Sequence, residues 1–484
     1  MLTTLLRAAA LTLLVACSPS ADRPGRGDDP TDPSGTGPGG STNPTTTPSS
    51  AGDPTWYGDI APLFADRCSA CHAPGGSAPF SLATYEDARP WGPAAAASIA
   101  DGRMPPFYAS AGDEVCDMPL GMYDDIRLSE AEKQLVYDWV EADMPEGDPA
   151  TAAPAPGRPV EALDRVDLEL ELQEPYVVDG TDDVYQCFRI PLPNTQTMYL
   201  QGIEVVPGND LVVHHALVWN DPRDSSASQV GPDGSYRCSG FPDIFPTELI
   251  STWTPGTQPV YAPEGTATPL EPGASIVLNV HYHPTGTTSE VDRTRLRLKW
   301  TTEEPEMFAS WFLVDTPFGA TVQPGPNDTN GTEFRIPPNV PDHLETVQMW
   351  FTSLLFSADM TVFAITPHMH YLGTDMLVEI VHNDANDDKE CLVHAPGFRF
   401  DFQRGYVYDP ATGELPVIHR GDRVRVTCRY DNSESNPFLP LHLQASGATE
   451  PHDVWWGEET GDEMCMAIVG LIVPKDGWSP FSWL

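Results

Sequence analysis

The chain is expected to be mostly β, with antiparallel β-sandwiches filling roughly its last two-thirds and a small α-helical domain ahead of them. Three observations predict this. Gly (39) and Pro (51) are plentiful among 484 residues, which favours turns and sheets over long helices. From about residue 160, apolar side chains recur with period two, as in Leu168-x-Leu170-x-Leu172, Leu296-x-Leu298-x-Trp300 and Val424-x-Val426. That alternation marks half-buried strands, and the Gly/Pro/Asn/Asp turns between runs suit antiparallel sandwiches. Earlier the period is helical: Ser129-x-x-Glu132 forms a capping box ahead of Leu135, Val136, Trp139 and Val140. A hydrophobic fraction of 40% is enough for several cores, and the length suggests two to four domains at roughly 100–200 residues each. With 26 Lys and Arg against 70 Asp and Glu, the net charge is −44. A phosphate backbone would be repelled, so a nucleic-acid partner is excluded.

Residues 1–17 read as an export signal. Arg7 is the positive start, Ala8–Val15 a short apolar core, and Leu14-Val15-Ala16-Cys17 resembles a bacterial lipobox. The resemblance implies lipidation of Cys17, and Ser18 after it favours the outer membrane. Residues 18–53 carry almost no apolar side chains and read as a disordered stalk. No later run approaches the roughly 20 apolar residues of a membrane helix, so membrane contact is expected through the lipid alone. A Pro/Ala-rich stretch at 148–159 separates the helical domain, 54–147, from the β-rich body.

Within 54–147, Cys68-Ser69-Ala70-Cys71-His72 is a C-x-x-C-H motif, the pattern of covalent c-type haem attachment. Cys68 and Cys71 would form the thioethers and His72 would be one axial ligand. A helix before the motif and an amphipathic one after it are what small cytochromes c use to sandwich haem. The other uses of such a cysteine pair are a disulfide or half of a zinc site, and no second C-x-x-C lies nearby. No other histidine occurs between residues 54 and 213, so the sixth ligand is sought among methionines. Met104, in Gly102-Arg103-Met104-Pro105-Pro106, is the choice because prolines stiffen its loop. Met118, Met122 and Met144 are rivals.

The histidines of the β-rich body are clustered: His214-His215, His281 with His283, and His368 with His370, each within or beside an apolar strand-like run. Uncompensated imidazoles there would be costly. Residues two apart on a strand share a face, so His368 and His370 can converge on one metal. His214 and His215 can do so only if the backbone is bulged. His343, His382, His394, His419, His442 and His452 read as surface or core residues.

Over roughly 160–480 these motifs, in this order, resemble the copper type II, ascorbate-dependent monooxygenases, which include the peptidylglycine α-hydroxylating and dopamine β-monooxygenases. The doublet HH, VHY, H-x-H followed by Leu-Gly, and Gly461-Asp462-Glu463-Met464-Cys465 carry the resemblance. It implies two tandem jelly-roll-like sandwiches, 160–308 and 309–484. The first would hold a copper through His214, His215 and His281. The second would hold the catalytic copper through His368, His370 and Met464, a thioether being a soft ligand that favours Cu(I). His283 matches no ligand position. By resemblance Cys187 pairs with Cys238 and Cys428 with Cys465, leaving Cys116 and Cys391 without a counterpart.

The activity implied is hydroxylation of a substrate C–H bond with O2, using two copper ions and ascorbate or another external reductant. The fused haem suggests a relay of electrons to the coppers. Peptide-amidating members carry an arginine two residues before H-x-H, and an asparagine and a tyrosine soon after the methionine. This chain has Thr366, Met466 and Ile468 there, so carboxylate anchoring is not expected and a small apolar or amine-bearing substrate is. The alternative is a non-enzymatic haem and copper electron-transfer or copper-handling lipoprotein. Substrate identity and oligomeric state have no signature in the sequence.

Overall fold

The computed structural model describes residues 52–475 apart from 75, 77, 119, 153–161, 181–183, 239–240, 246, 256, 317–319, 330, 352–357 and 458. The export signal with Cys17, the stalk up to residue 51 and most of the 148–159 linker lie outside the described residues. The chain is mostly β. Among the described residues, no helix is long and apolar enough to cross a membrane.

One ten-stranded sheet is the backbone of the molecule. Its strands run in the order Leu168–Glu171, Arg295–Thr301, Met198–Val206, Thr266–Leu270, Met307–Val314, Met466–Pro474, Met360–His368 and Tyr406–Val407, with Val260–Tyr261 and Val417–Ile418 attached at the sides. Most neighbours are antiparallel. The junction between halves is parallel and short, only Met307 opposite Thr266 and Phe308 opposite Ala267.

Each half is covered by a five-stranded sheet. Over the first half lie Ser235–Arg237, Val184–Pro191, Ser275–Tyr282, Val213–Asp221 and Glu248–Trp253. The second half carries Thr321–Val322, His343–Trp350, Arg423–Tyr430, Gly373–Val381 and Lys389–Pro396. The alternation read from the sequence is what fills these layers. Leu170, Leu172, Leu296 and Leu298 meet Phe188, Ile276 and Leu278 in one core; Val424 and Val426 join Val362 and Leu471 in the other. Each such side chain contributes about 1.5–3 kcal/mol by leaving water.

The two units also touch each other. Cys187, Leu217, Trp219, Leu249 and Val277, on the outer face of the first five-stranded sheet, pack against Met464, Met466 and Ile468. This explains why the Val213–Asp221 and Ser275–Tyr282 strands are buried on both faces.

The amino-terminal helices, Ala61–Arg67, Gly92–Ala100 and Glu130–Glu141 among them, surround a third core of Trp56, Ile60, Phe64, Val136 and Trp139. Glu130–Glu141 starts as expected: the Glu132 N–H donates to Ser129 Oγ (3.3 Å) and the Ser129 N–H to Glu132 Oε2 (2.7 Å). Residues 107–122 do not stay with these helices. Phe107, Tyr108, Cys116, Met118, Leu120 and Met122 are buried in the core of the second β unit. Hydrogen bonds from Ser110 N–H to His394 C=O and from Tyr123 N–H to Val407 C=O hold this strap. A Cys116–Cys391 disulfide crosses between them, which gives both cysteines a partner.

Candidate metal centres

The His214-His215 doublet lies on the Val213–Asp221 strand, beside Ser275–Tyr282. His281 pairs with His215, yet Tyr282 pairs with Val213. His214 is therefore the extra residue of a β-bulge, the distortion that lets both imidazoles of a neighbouring pair reach one side. Their Nδ1 atoms and that of His281 form a triangle with sides of 3.0, 3.3 and 3.4 Å. Its centre lies about 1.9 Å from each corner, close to the ~2.0–2.1 Å of a metal–imidazole bond. Three ring nitrogens so placed can hold a metal ion.

The surroundings keep His215 neutral and orient His281. Burial, then the neighbouring His281, His214 and His368, pushes His215 well below the ordinary imidazole value, which leaves its lone pair free to ligate. Tyr185 stacks flat on His281, centroids 4.3 Å apart. His283 is exposed, its ring 6.4 Å from that of His214.

His368 ends the Met360–His368 strand and His370 follows two residues on. Both are buried, with ring centroids 5.2 Å apart and planes at 83°. Each has its Nδ1 fixed by an oxygen acceptor: Gln403 Oε1 at 2.5 Å for His368 and the Asp462 carbonyl at 3.0 Å for His370. Those acceptors place the ring proton on Nδ1 and leave Nε2 as the lone-pair nitrogen. Both Nε2 atoms are buried with no hydrogen-bond partner. A donor held by an oxygen on one side and an unmet lone pair on the other is the arrangement of a metal-ligating histidine. Burial lowers His368 to about 3 and His370 to about 4, so both are neutral at physiological pH.

Met464 is buried on the segment that the Glu463 carboxylate ties to this pair. Glu463 accepts the N–H groups of His370 (2.9 Å), Leu372 (2.7 Å) and Met464 (3.3 Å). Burial pushes its carboxyl up to about 8, against the pull of those three donors. From the other side the Tyr430 hydroxyl donates to the Met464 carbonyl at 2.7 Å, and the Cys428–Cys465 disulfide anchors the next residue. The Cys187–Cys238 disulfide is also present.

Strand parity places both centres on one interface. His281 shares a face with Val277, and His215 with Leu217 and Trp219. His368 lies opposite Met466, whose face Met464 and Ile468 share. Val277, Leu217, Trp219, Met464, Met466 and Ile468 all belong to the cluster between the two β units. His368 is among the groups that lower His215.

In the amino-terminal unit, neither Cys68 nor Cys71 is in a disulfide. The His72 Nδ1 lies 3.1 Å from the Phe80 carbonyl, which again assigns the ring proton to Nδ1 and leaves Nε2 to ligate. Phe80 packs 4.6 Å from the His72 ring and stacks on Trp91 at 3.9 Å. The methionines separate by position. Met118 and Met122 are buried in the second β unit, and Met144 packs on the helical core beside Gly92 and Trp139. Met104 is half-buried in its proline loop and belongs to no core cluster among the described residues. Cys71 Sγ lies 3.8 Å from the Pro255 carbonyl, in the turn after the Glu248–Trp253 strand.

Sequence reasoning missed Gln403, Glu463 and the Asp462 carbonyl. Glu463 sits inside a motif whose methionine and cysteine carry the sequence reading. Gln403 is 35 residues from His368 and carries no local signal.

No family model matches the chain, and no curated protein matches it. Among solved structures, the major capsid protein P2 of bacteriophage PM2 aligns at 8% identity over 64% of this chain and 98% of that one, with a TM-score of 0.23. A protein from Parabacteroides distasonis described as secreted aligns at 8% identity over 64% of this chain and 84% of that one, with a TM-score of 0.11. Likenesses this slight carry no argument about fold or function.

Proposed function

We propose that the chain is an exported, lipid-anchored copper monooxygenase, built on two tandem jelly-roll-like sandwiches with a c-type haem unit fused ahead. It hydroxylates a C–H bond of a small molecule with O2. The observation that carries this reading is the single interface onto which His214, His215, His281, His368, His370 and Met464 are brought.

The residues present fit the groups implied. Three imidazoles spaced for one ion suit copper in either oxidation state; two unmet imidazole nitrogens beside a thioether-bearing segment favour Cu(I). The Cys68 and Cys71 thiols, outside any disulfide, and the oriented His72 fit a covalent haem, with Met104 as the sixth ligand. When bound, the coppers supply one-electron chemistry and dioxygen activation, and the haem supplies an electron store.

The chain's own residues hold, orient and exclude. Gln403 and Asp462 aim the His368 and His370 rings, while Glu463 and Tyr430 fix the Met464 backbone. Thr366, Met466 and Ile468 offer no guanidinium to a carboxylate; Met466 and Ile468 are buried and apolar. That supports an apolar or amine-bearing substrate over a peptide carboxylate. The Cys71–Pro255 contact supports an intramolecular relay, because the strand ending at Trp253 pairs with the His215 strand through Ala216. Ascorbate or another small reductant is the external source.

Metal analysis of protein exported to a periplasm should give about one iron and, for these two centres, about two coppers per chain. Oxygen uptake with ascorbate should yield a hydroxylated product and be lost in Met464→Ala. Copper binding with no product from any amine or apolar candidate would instead mark an electron-transfer or copper-handling protein.

A further inference from the structure

Six histidines lie outside the two centres and the exposed His283 in the β-rich body. Four of them face carboxylates: His343 to Glu345 (2.7 Å), His382 to Asp422 (2.9 Å), His394 to Asp113 (2.6 Å) and His419 to Asp359 (3.0 Å). His442 and His452 do not. His442 is fully buried on the Leu439–Ser446 helix, and neither of its ring nitrogens has a hydrogen-bond partner. The Nδ1 of His452 is likewise buried and unpartnered. The rings lie 5.6 Å apart with their planes at 21°. Buried polar atoms without partners are costly, and an ion between the rings would satisfy one nitrogen of each.

The segment holding them is well fixed. Gly447, at a φ of 69°, ends the helix in a left-handed turn, where the Ala448 N–H returns to the Leu443 carbonyl. The Asn432 side-chain amide donates to the carbonyls of His452 (2.8 Å) and Pro337 (3.2 Å). Two imidazoles are thereby held in place without making a bond to each other.

We propose that His442 and His452 form a third metal site, one for a soft monovalent ion of the cuprous type. The separation suits one ion between them. With ring nitrogens about 1.1 Å from the centroid and a metal–nitrogen bond of ~2.0–2.1 Å, facing rings stand up to about 6.3 Å apart, less when the angle at the metal is bent. The ring pairs of the other two centres lie 4.6–5.3 Å apart. Burial, with His452 and His370 adding to it, holds His442 down at about 4, so its lone pair is free at neutral pH. The same influence of His370 places the pair beside the second centre. A divalent ion would bring buried charge that no carboxylate hydrogen-bonded to these rings offsets and would seek four ligands. A monovalent d10 ion is satisfied by two imidazoles.

The site does not rest on the oxygenase reading and is tested apart from it. The full-length chain, stripped of copper, is titrated anaerobically with Cu(I) against a chromophoric cuprous chelator, alongside His442→Phe and His452→Gln. Each variant is expected to take up one equivalent fewer than its parent. The same one-equivalent difference is expected in a His368→Ala background, which separates it from the second centre. The difference, whatever the total, is the readout. Equal uptake by parent and variants would mean that ordered water alone meets these nitrogens, and would overturn the proposal. So would a difference that disappears in the His368→Ala background. If His442→Phe does not fold, the half-buried His452→Gln carries the comparison.

Discussion

Glu463→Gln is the sharpest perturbation of the second centre. Above about pH 8, where Glu463 is ionised, both carboxyl oxygens of the parent accept: Oε1 from Leu372 N–H, Oε2 from His370 and Met464 N–H. A carboxamide keeps one oxygen, and its NH2 cannot accept, so one or two buried N–H groups lose their partner. At about 1–3 kcal/mol for each, the substitution costs roughly 2–5 kcal/mol. For a unit the size of the second β half this lowers its unfolding temperature by roughly 5–15 °C. The backbone of 370–372 and of Met464 is also released from its common clamp, so Cu(I) affinity at His368/His370/Met464 should fall by about 10–100-fold, as when other ligand-orienting groups are removed. The His214/His215/His281 centre should keep its affinity. Calorimetry and competitive Cu(I) titration of parent and variant read both effects. A variant that unfolds with its parent and binds copper equally at both centres would show that Glu463 is not the clamp described.

Further outcomes are expected. Burial raises Glu248 and Asp315 to about 7 and Glu463 to about 8, so their contribution is complete below their unfolded values and is lost as pH rises through 7–8. Burial lowers His215, and lowers His368 to about 3 and His370 to about 4, so their contribution is present above about 6.5 and is lost as pH falls, for His368 and His370 towards 3–4. Copper-free protein should therefore show a plateau of stability between about pH 4.5 and 6.5, where the two opposing slopes offset each other, read from urea midpoints; Glu248→Gln should make that plateau rise with pH and soften the fall on its alkaline side. Cys116→Ala with Cys391→Ala opens a cross-link spanning 275 residues, worth about 5 kcal/mol in the chain-entropy picture. Limited proteolysis should then cut first within 107–122, and unchanged resistance would count against the strap. In haem-loaded protein, Met104→Ala should lower the reduction potential, because a thioether ligand raises it. Met118→Ala should leave the potential alone and cost about 2–5 kcal/mol of stability instead; a reversal of the two results would reassign the ligand.

Local pattern carried a good part of this molecule. Leu296 and Leu298, Val424 and Val426 alternate because a sheet buries one face, and Ser129 with Glu132 caps a helix within one turn; such signals lie within a few residues. The histidine doublets were legible because buried imidazoles stand out against apolar strands. What escaped depends on residues far apart. The parallel junction at Met307 and Thr266 comes from tertiary packing, as does the departure of 107–122 into a core some 200 residues downstream. The His214 bulge was required by the chemistry but has no sequence mark, since only the register against Ser275–Tyr282 reveals it. Gln403 and Glu463 act through hydrogen bonds to residues 35 and 93 positions away, a distance at which periodicity is silent.

The position of Met466–Pro474 has a consequence for biogenesis. This late segment is an interior strand, with Met307–Val314 on one side and Met360–His368 on the other. A ribosome that has not yet released it leaves two earlier strands with open edges and the thioether still missing. Assembly of this half is then all or nothing: chains that stop short of Met466 present strand edges to proteases until Met466–Pro474 slots home.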